Sequence, residues 1–452
     1  MYANKARRRR GVLLTPQGLK KLQTAKSEAE IRENNGHRYT LEALSDRTGL
    51  SVDSIMKIFA CEVGVDKQTL KYCFQGFNLV LEQSDYCLPE LPQRNQALST
   101  NLSAAEPEPE IPEGQVPLDS RFYVERPPVE ANCYKAILQP GALIRIKAPR
   151  RMGKTSLMSR ILQSANNEGY HTVSLSFQLA DTAIFQDLDK FLRWFCASIS
   201  LGLDLQNQLA DYWDELFGSK ISAKIYFEHY ILAKIINPIV LGLDDVDRLF
   251  QYPDLADDFF GLLRAWHEEA KNREIWKKLR LVVAHATEVY IPLSVNKSPF
   301  NVGLPVELHN FNKEQVQTLG DRYGLNFGEQ SLEKLFDLVG GQPYLVRLAC
   351  YYLWQHRISV EELLSTALSS DGIYREHLQQ QWWNLQQNPE LVDTFAQVIK
   401  SPQPVELHLQ QAFKLQSMGL VNLYGNQATP SCRLYAEYFC DRLHYQPESI
   451  VS

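Results

Sequence analysis

Between residues 118 and 290, short apolar runs alternate with stretches of helical period. The runs are LIRIKA (143–148), YHTVSLSFQLAD (170–181), INPIVLGLDD (236–245) and KKLRLVVAHATEVY (277–290). Between them lie SLMSRILQSA (156–165), DKFLRWFCASISLGL (189–203) and DDFFGLLRAWHEEAKN (257–272), whose apolar residues return every three or four positions. SRFYVERPPVEANCYKAI (120–137) precedes the first run. Apolar residues follow one another within the runs without clean alternation, as in strands that helices cover on both faces. The expectation is an α/β parallel sheet with its ligand at the carboxyl ends of the strands.

From Pro305 on the pattern reads as helical throughout: FNKEQVQTLGDRYGL, SLEKLFDLVGG and QPYLVRLACYYLWQ, then LVDTFAQVIK and HLQQAFKLQSMGLV. VNLYGNQATPSCRLYAEYF then reads as a hairpin with Gly425-Asn426 near its turn, and helices followed by a hairpin make a winged helix. Its surface is not basic, which favours packing or partner docking over DNA reading. At the other end, residues 1–86 read as small helices. Thr15-Pro16 starts one, Thr40 to Arg47 is another, and after a turn at Thr48-Gly49-Leu50 a third runs from Ser51 to Phe59. With DKQTLKYCFQGFNLVLEQ closing the bundle, this is a helix-turn-helix signature. Residues 87–117, rich in Pro, Glu, Ser and Asn, read as a flexible linker. The predicted domains are therefore 1–86, a sheet core at 118–304, a helical lid at 305–385 and a winged helix at 386–452.

Charge sharpens the picture of the first domain. The whole chain carries a net of −6, yet residues 1–80 hold 14 Lys and Arg against 8 Asp and Glu. A polyanionic partner is thus placed at the N-terminal domain. DNA contact there would use Ser51, Asp53, Ser54 and Lys57, with Arg7, Arg8, Arg9 and Arg10 on phosphates. Asp53 would repel phosphate, so a tri-helical protein-interaction domain stays open as the other reading. The eight cysteines are scattered without a C-x-x-C pair, which argues against a zinc site or disulfide framework and for reduced thiols in a cytoplasmic protein. No stretch approaches the length of a membrane span.

Candidate chemistry gathers at Ala148-Pro149-Arg150-Arg151-Met152-Gly153-Lys154-Thr155, between the first strand and the helix beginning near Ser156. This is a phosphate-binding loop with Ala148 in place of the first glycine. Backbone N–H groups at the helix start cradle phosphates, Lys154 reaches the β- and γ-phosphates, and Thr155 can ligate Mg²⁺. Asp244-Asp245 ends an apolar run about 90 residues on. Asp244 is the metal-side carboxylate and Asp245 the candidate to orient the attacking water, unless the pair simply caps a helix from Val246. His285 or Thr287, emerging with Glu288 from the fourth strand, are candidate γ-phosphate sensors. Pro343, in Gly340-Gly341-Gln342-Pro343, either packs on adenine or starts a plain helical hairpin. Arg264 and Arg347 are candidate arginine contacts.

On these residues the chain resembles a bacterial protein of the AAA-like domain family, with an N-terminal helix-turn-helix domain of the type in vWA-MoxR-associated proteins of ternary conflict or signalling systems. The likeness is carried by LTPQGLKKLQTA, RYTLEALSDRTGLSVDSIMKIF, FYVERPPVEANCY, IRIKAPRRMGKTSL, LDDVDRLF, LLRAWHEEAK, LRLVVAHATEVY, GGQPYLVRLACYYL and SMGLVNLYGN. The wider grouping it is similar to comprises the signal-transduction ATPases with numerous domains and the origin-recognition-type ATPases. That resemblance implies a P-loop NTPase sheet holding ATP or ADP with Mg²⁺ under a helical lid, with a winged helix behind. It implies further that Arg126 lies near the nucleotide, that Lys154 and Thr155 contact phosphate and metal, that Asp244 and Asp245 are the acidic pair, and that Pro343 touches adenine. Aspartate at 245, where relatives carry glutamate, bears on hydrolysis more than on binding.

The function so read is an ATP-binding regulatory switch and slow Mg-dependent ATPase, coupling nucleotide state to the partner of the N-terminal domain. That partner is a protein of a signalling or conflict system or DNA, and the chain can oligomerise. The rival readings are a DNA-binding regulator that uses ATP for assembly and a scaffold that binds nucleotide without hydrolysing it.

Overall fold

Among the described residues, two short strands and four helices build the N-terminal unit, Met1–Glu106; the rest, Pro107–Ser452, is a second unit. The computed structural model describes residues 12–33, 39–60, 65, 67–77, 79–82, 85–87, 109–286, 301–356, 358–369 and 371–443. Arg7 to Arg10, Thr287 and Glu288 lie outside the described residues.

In the first unit, helix α1 (Pro16–Glu33) starts where Thr15 Oγ1 accepts from the Gly18 N–H at 3.1 Å. Thr40 caps α2 (Leu41–Thr48) through the Ala43 N–H, and Gly49 at φ 68° makes the left-handed turn into α3 (Val52–Ala60). Glycine, with no Cβ, enters that conformation most readily. Leu22, Leu44, Ile55 and Ile58 pack with Leu70 and Phe74 of α4 (Lys67–Gly76) into the unit's own core. The strands β1 (Leu13–Leu14) and β2 (Tyr86–Cys87) pair antiparallel and close the unit. The buried Asp85 beside them meets Lys21 Nζ at 3.1 Å. Two-residue strands have no periodicity, and the sequence reading has none here.

The second unit is built on five parallel strands: β3 (Leu143–Lys147), β4 (His171–Ser176), β5 (Ile239–Asp244), β6 (Leu279–His285) and β7 (Leu304–Glu307), in the order β4-β5-β6-β3-β7. Successive residues face opposite helical layers. Ile144, Ile146, Val240 and Val282 pack with α5 (Val129–Ile137) and α6 (Lys154–Asn167). Leu241, Leu243, Leu281 and Val283 pack on the other side. There they meet Phe195 of α7 (Leu188–Gly202), Phe227, and Phe259 and Trp266 of α11 (Pro253–Glu269). Short helices α8 (Leu209–Tyr212), α9 (Gly218–Tyr226) and α10 (Leu232–Lys234) fill the connection to β5, with a π-helical stretch Phe227–Ile231 before the last. The sequence reading assigns nothing to them.

Helices α12 (Lys313–Arg322), α13 (Glu329–Val339), α14 (Pro343–His356), α15 (Val360–Thr366) and α16 (Arg375–Gln386) follow. They share one core with the C-terminal elements. These are α17 (Pro389–Lys400), β8 (Val405–Glu406), α18 (Leu409–Ser417), β9 (Val421–Tyr424), β10 (Gln427–Pro430) and α19 (Arg433–Leu443), with strands ordered β8-β10-β9.

Three expectations are corrected. Residues 305–307 are not helical but belong with Leu304 to the sheet's edge strand, which among the described residues pairs only with β3 and so tolerates Pro305. RLYAEYF is not the second arm of the hairpin: Leu434, Tyr435, Tyr438 and Phe439 are buried at helical spacing, and the segment is α19. Residues 109–117 do not belong to a free linker. Val116 N donates to Ser156 Oγ at 2.9 Å, and Arg160 Nη2 donates to the Pro117 carbonyl at 2.7 Å.

Candidate nucleotide site

The buried β3 delivers the chain to the sheet's carboxyl edge at Ala148, and α6 leaves it at Lys154. Between them the backbone turns through two left-handed residues, Arg151 at φ 63° and Gly153 at φ 92°. Lys154 is half-buried, and its ammonium donates to the Ala148 and Pro149 carbonyls, both at 3.0 Å. Burial pushes its pKa down, against the pull of Asp247, Asp244 and Asp245. A poorly solvated cation held on two carbonyls gains most from an anion placed in the loop.

Thr155 and Asp244 are brought together, Thr155 Oγ1 donating to Asp244 Oδ2 at 2.7 Å. Asp244 ends β5 in a buried position. Burial raises its pKa, while the Thr155 hydrogen bond opposes the shift. Asp245 stands next to it at φ 55°, a left-handed conformation that aspartate enters more readily than most residues. Its Oδ2 accepts from Ser176 Oγ at 2.9 Å, on the neighbouring strand. The 3₁₀ turn Val246–Gln251 receives no side-chain cap from Asp245, so the pair is not there as a helix cap. Asp247, which sequence reasoning passed over, accepts from the Ala286 N–H at 3.1 Å and pins the end of β6. His285, on that strand, is buried and in register with Lys147.

A cavity of about 500 Å³ adjoins the loop, lined among others by Arg126, Gly153, Ser156, Phe311, Pro343 and Tyr344. Arg126 is buried, donates Nη2 to the Met152 carbonyl at 2.8 Å and lies with its guanidinium 4.7 Å from the Phe311 ring centroid. Its Nε has no hydrogen-bond partner, and neither has that of Arg347, another cavity-lining arginine. Burial lowers the Arg126 pKa. These two arginines, on the wall of a cavity beside the phosphate loop, give it the positive charge that suits an anionic ligand. Pro343 opens α14 at its first position, as its missing N–H allows.

Not all predicted residues face this cavity. Arg150 N donates to the Ser417 carbonyl at 3.3 Å, so the loop backbone touches the end of α18. Arg151 lines the cavity, but its guanidinium pairs with His377 Nδ1, donates to Gln380 Oε1 at 2.7 Å and lies 4.4 Å from the Tyr344 ring centroid. His377 is buried against α19, Nε2 to Tyr435 hydroxyl at 2.6 Å. Ser156 accepts from Val116, as above, and Met152 packs inward in the core beneath the loop. Arg264 lies on α11, away from the cavity lining. In the first unit, Ser51 and Ser54 hydroxyls are 3.0 Å apart at the start of α3, and Lys57 is exposed.

Among the described residues no cluster of three or more His, Cys, Asp or Glu is placed to hold a metal. Thr155 and Asp244 instead fit Mg²⁺, which takes one or two protein ligands and completes its shell with water and substrate phosphates. Bound there, the ion would supply charge neutralisation between phosphates. No helix among the described residues is long and apolar enough to cross a membrane.

The AAA-like domain profile matches residues 111–441. An uncharacterised WD repeat-containing protein of Synechocystis sp. is 26% identical over 227 residues, 48% of this chain and 19% of that protein. The chain thus spans about a fifth of that relative's length. Among solved structures, a Walker-type ATPase of Pyrococcus abyssi aligns with 70% of this chain and 96% of its own at 12% identity and a TM-score of 0.49. The Aeropyrum pernix ORC2 protein, solved in ADPNP–ADP complexes, aligns with 72% and 95% at 14% identity and a TM-score of 0.43. Cdc6p from Pyrobaculum aerophilum aligns with 72% and 96% at 14% identity and a TM-score of 0.35. The parallel five-stranded sheet, the phosphate loop and the acidic strand end are those of a nucleotide-binding P-loop ATPase fold, and with most of its length matched the chain belongs to the AAA-like domain family.

Proposed function

We propose that the protein is an ATP-responsive switch and a slow Mg²⁺-dependent ATPase. One observation carries this reading: Lys154, Thr155 and Asp244 meet at the carboxyl ends of β3 and β5, beside a cavity into which Arg126 and Pro343 face. Lys154 binds the terminal phosphates, Thr155 and Asp244 hold the ion, and Arg126 holds the loop at Met152. Pro343 and Tyr344 flank the base. Asp245, fixed by Ser176, orients the attacking water, and its short side chain keeps turnover low. His285 is the candidate sensor at the sheet edge.

The nucleotide's influence reaches the C-terminal elements, which have the element order of a winged helix. Arg150 and Arg151 already touch α16 and α18, so a phosphate in the loop changes what those helices pack against. The output is engagement of a partner by the N-terminal unit, which we take to be a protein of a signalling system. Duplex DNA is a second reading, favoured by the turn at Gly49 and by the excess of Lys and Arg in residues 1–80. Steep loss of retention on DNA with rising salt would support it, and no salt-dependent retention would remove it. The central test is ATP binding by the wild type and by Lys154→Ala. Binding that is lost in the variant supports the switch; unchanged affinity and thermal shift overturn it.

A further inference from the structure

Residues 109–117 have the composition of a connector, yet they are tied to the second unit at both ends of a short span. At one end Glu110 Oε1 lies 3.0 Å from Arg347 Nη2 and also accepts from the Ser120 hydroxyl. The arginine side chain is only 8% exposed and the glutamate 36%, so the pair is anchored in the molecule from the arginine side. At the other end Val116 N donates to Ser156 Oγ at 2.9 Å, while Arg160 donates to the Val116 and Pro117 carbonyls at 3.1 and 2.7 Å. Between the anchors, Pro112, Glu113 and Gly114 line the cavity beside the phosphate loop.

The anchors join two different walls of that cavity. Ser156 follows Thr155 in the first turn of α6, and Arg347 lies one turn beyond Pro343 on α14. The segment therefore bridges the loop helix and the lid helix, and about 500 Å³ stays open with it in place, so it is a wall and not a plug. It has no apolar periodicity of its own, and beyond its anchors only Pro109 and Pro112 are buried, so the anchors carry most of its order. A base seated in the cavity adds contacts from inside. Through the sequence, the same segment continues into the chain leading to the first unit.

We propose that residues 110–117 form a nucleotide-responsive clasp, latched by Glu110 and Arg347, that closes the base side of the site and couples its occupancy to the tether of the N-terminal unit. This rests on the ATP reading above. Coupling is reciprocal: the factor by which nucleotide holds the clasp is the factor by which the clasp holds nucleotide.

The full-length protein tests this with a glutamate-specific protease, following cleavage after Glu113 by mass. ATP with Mg²⁺ slows that cleavage by about tenfold, in the usual range of such couplings, and inorganic triphosphate does not, because it fills the phosphate loop alone. Glu110→Gln keeps an acceptor for Ser120 but removes the latch charge; it speeds cleavage after Glu113 and weakens ATP binding about tenfold. If ATP binds the wild type yet leaves cleavage unchanged, or triphosphate protects as well as ATP, or Glu110→Gln binds ATP like the wild type, the clasp is wrong while the ATP reading stands. If the wild type binds no ATP, the ATP reading itself fails and the clasp with it.

Discussion

Asp245 is held by one hydrogen bond from Ser176 in a conformation few residues adopt, and that geometry aims it without using it as a cap. If it orients water, Asp245→Asn keeps the Ser176 bond and loses the charge. Phosphate release should then fall by about 10²-fold with ATP affinity nearly unchanged; release at the wild-type rate removes Asp245 from catalysis. His377 makes a different, titratable prediction. Burial, and then the charge of Arg151, push its pKa down from 6.5 to about 3. The unfolded chain binds the proton first, so His377 contributes stability above pH 6.5 that is lost as pH falls toward about 3. Wild type should therefore lose a few kcal/mol relative to His377→Gln between pH 7 and 4, read from denaturant melts at each pH. Equal slopes for the two proteins would contradict it. That Thr155 and Asp244 would meet at the strand ends was legible in the sequence, because a strand–loop–helix pattern and an apolar run ending in two carboxylates are both local signals. His377 was not, since its partner Arg151 lies 226 positions away and no local pattern joins them.

At the scale of elements, the helices and the buried strands were readable where one face recurs, and unreadable where it does not. β7 shows a single buried residue, Val306, and contains a proline, so it carries no strand signal; its place follows from pairing with β3. The tyrosines of α19 read as strand residues until their spacing on the buried face is known. Gly341 shows how tightly one element is placed. At φ 70°, a Cβ there would lie 2.1 Å from the Phe311 carbonyl oxygen, and the Phe311 N–H donates to the Gly341 carbonyl at 2.8 Å. Gly341→Ala must therefore break that junction and shift the start of α14, with Pro343 and Tyr344 on it. We expect a loss of about 2–4 kcal/mol in chemical denaturation and at least tenfold weaker ATP binding. A variant that keeps wild-type stability would show that this close approach does not fix α14.

Across the second unit, the phosphate loop is shared between two claimants. A phosphate draws on backbone N–H groups and on the loop lysine. Here Lys154 is committed to the Ala148 and Pro149 carbonyls, the Arg150 N–H to the Ser417 carbonyl, and the Arg151 guanidinium to His377 and Gln380. Pro149 also lies 3.6 Å from where a Cβ on Gly419 would sit, so α18 and the turn after it rest on the loop itself. A phosphate in the loop would therefore compete with the C-terminal elements for the Arg150 N–H. A ligand shifts a conformational equilibrium only by binding its two states differently, and this competition supplies the difference. Saturating ATP should loosen α18 and the start of β9, seen as faster amide hydrogen exchange in residues 409–424. Arg151→Ala, which removes the loop's side-chain hold on α16, should raise exchange in residues 375–386 without nucleotide. Exchange in 409–424 that is the same with and without bound ATP would separate the loop from the C-terminal elements, and leave nucleotide binding without a route through them to the rest of the chain.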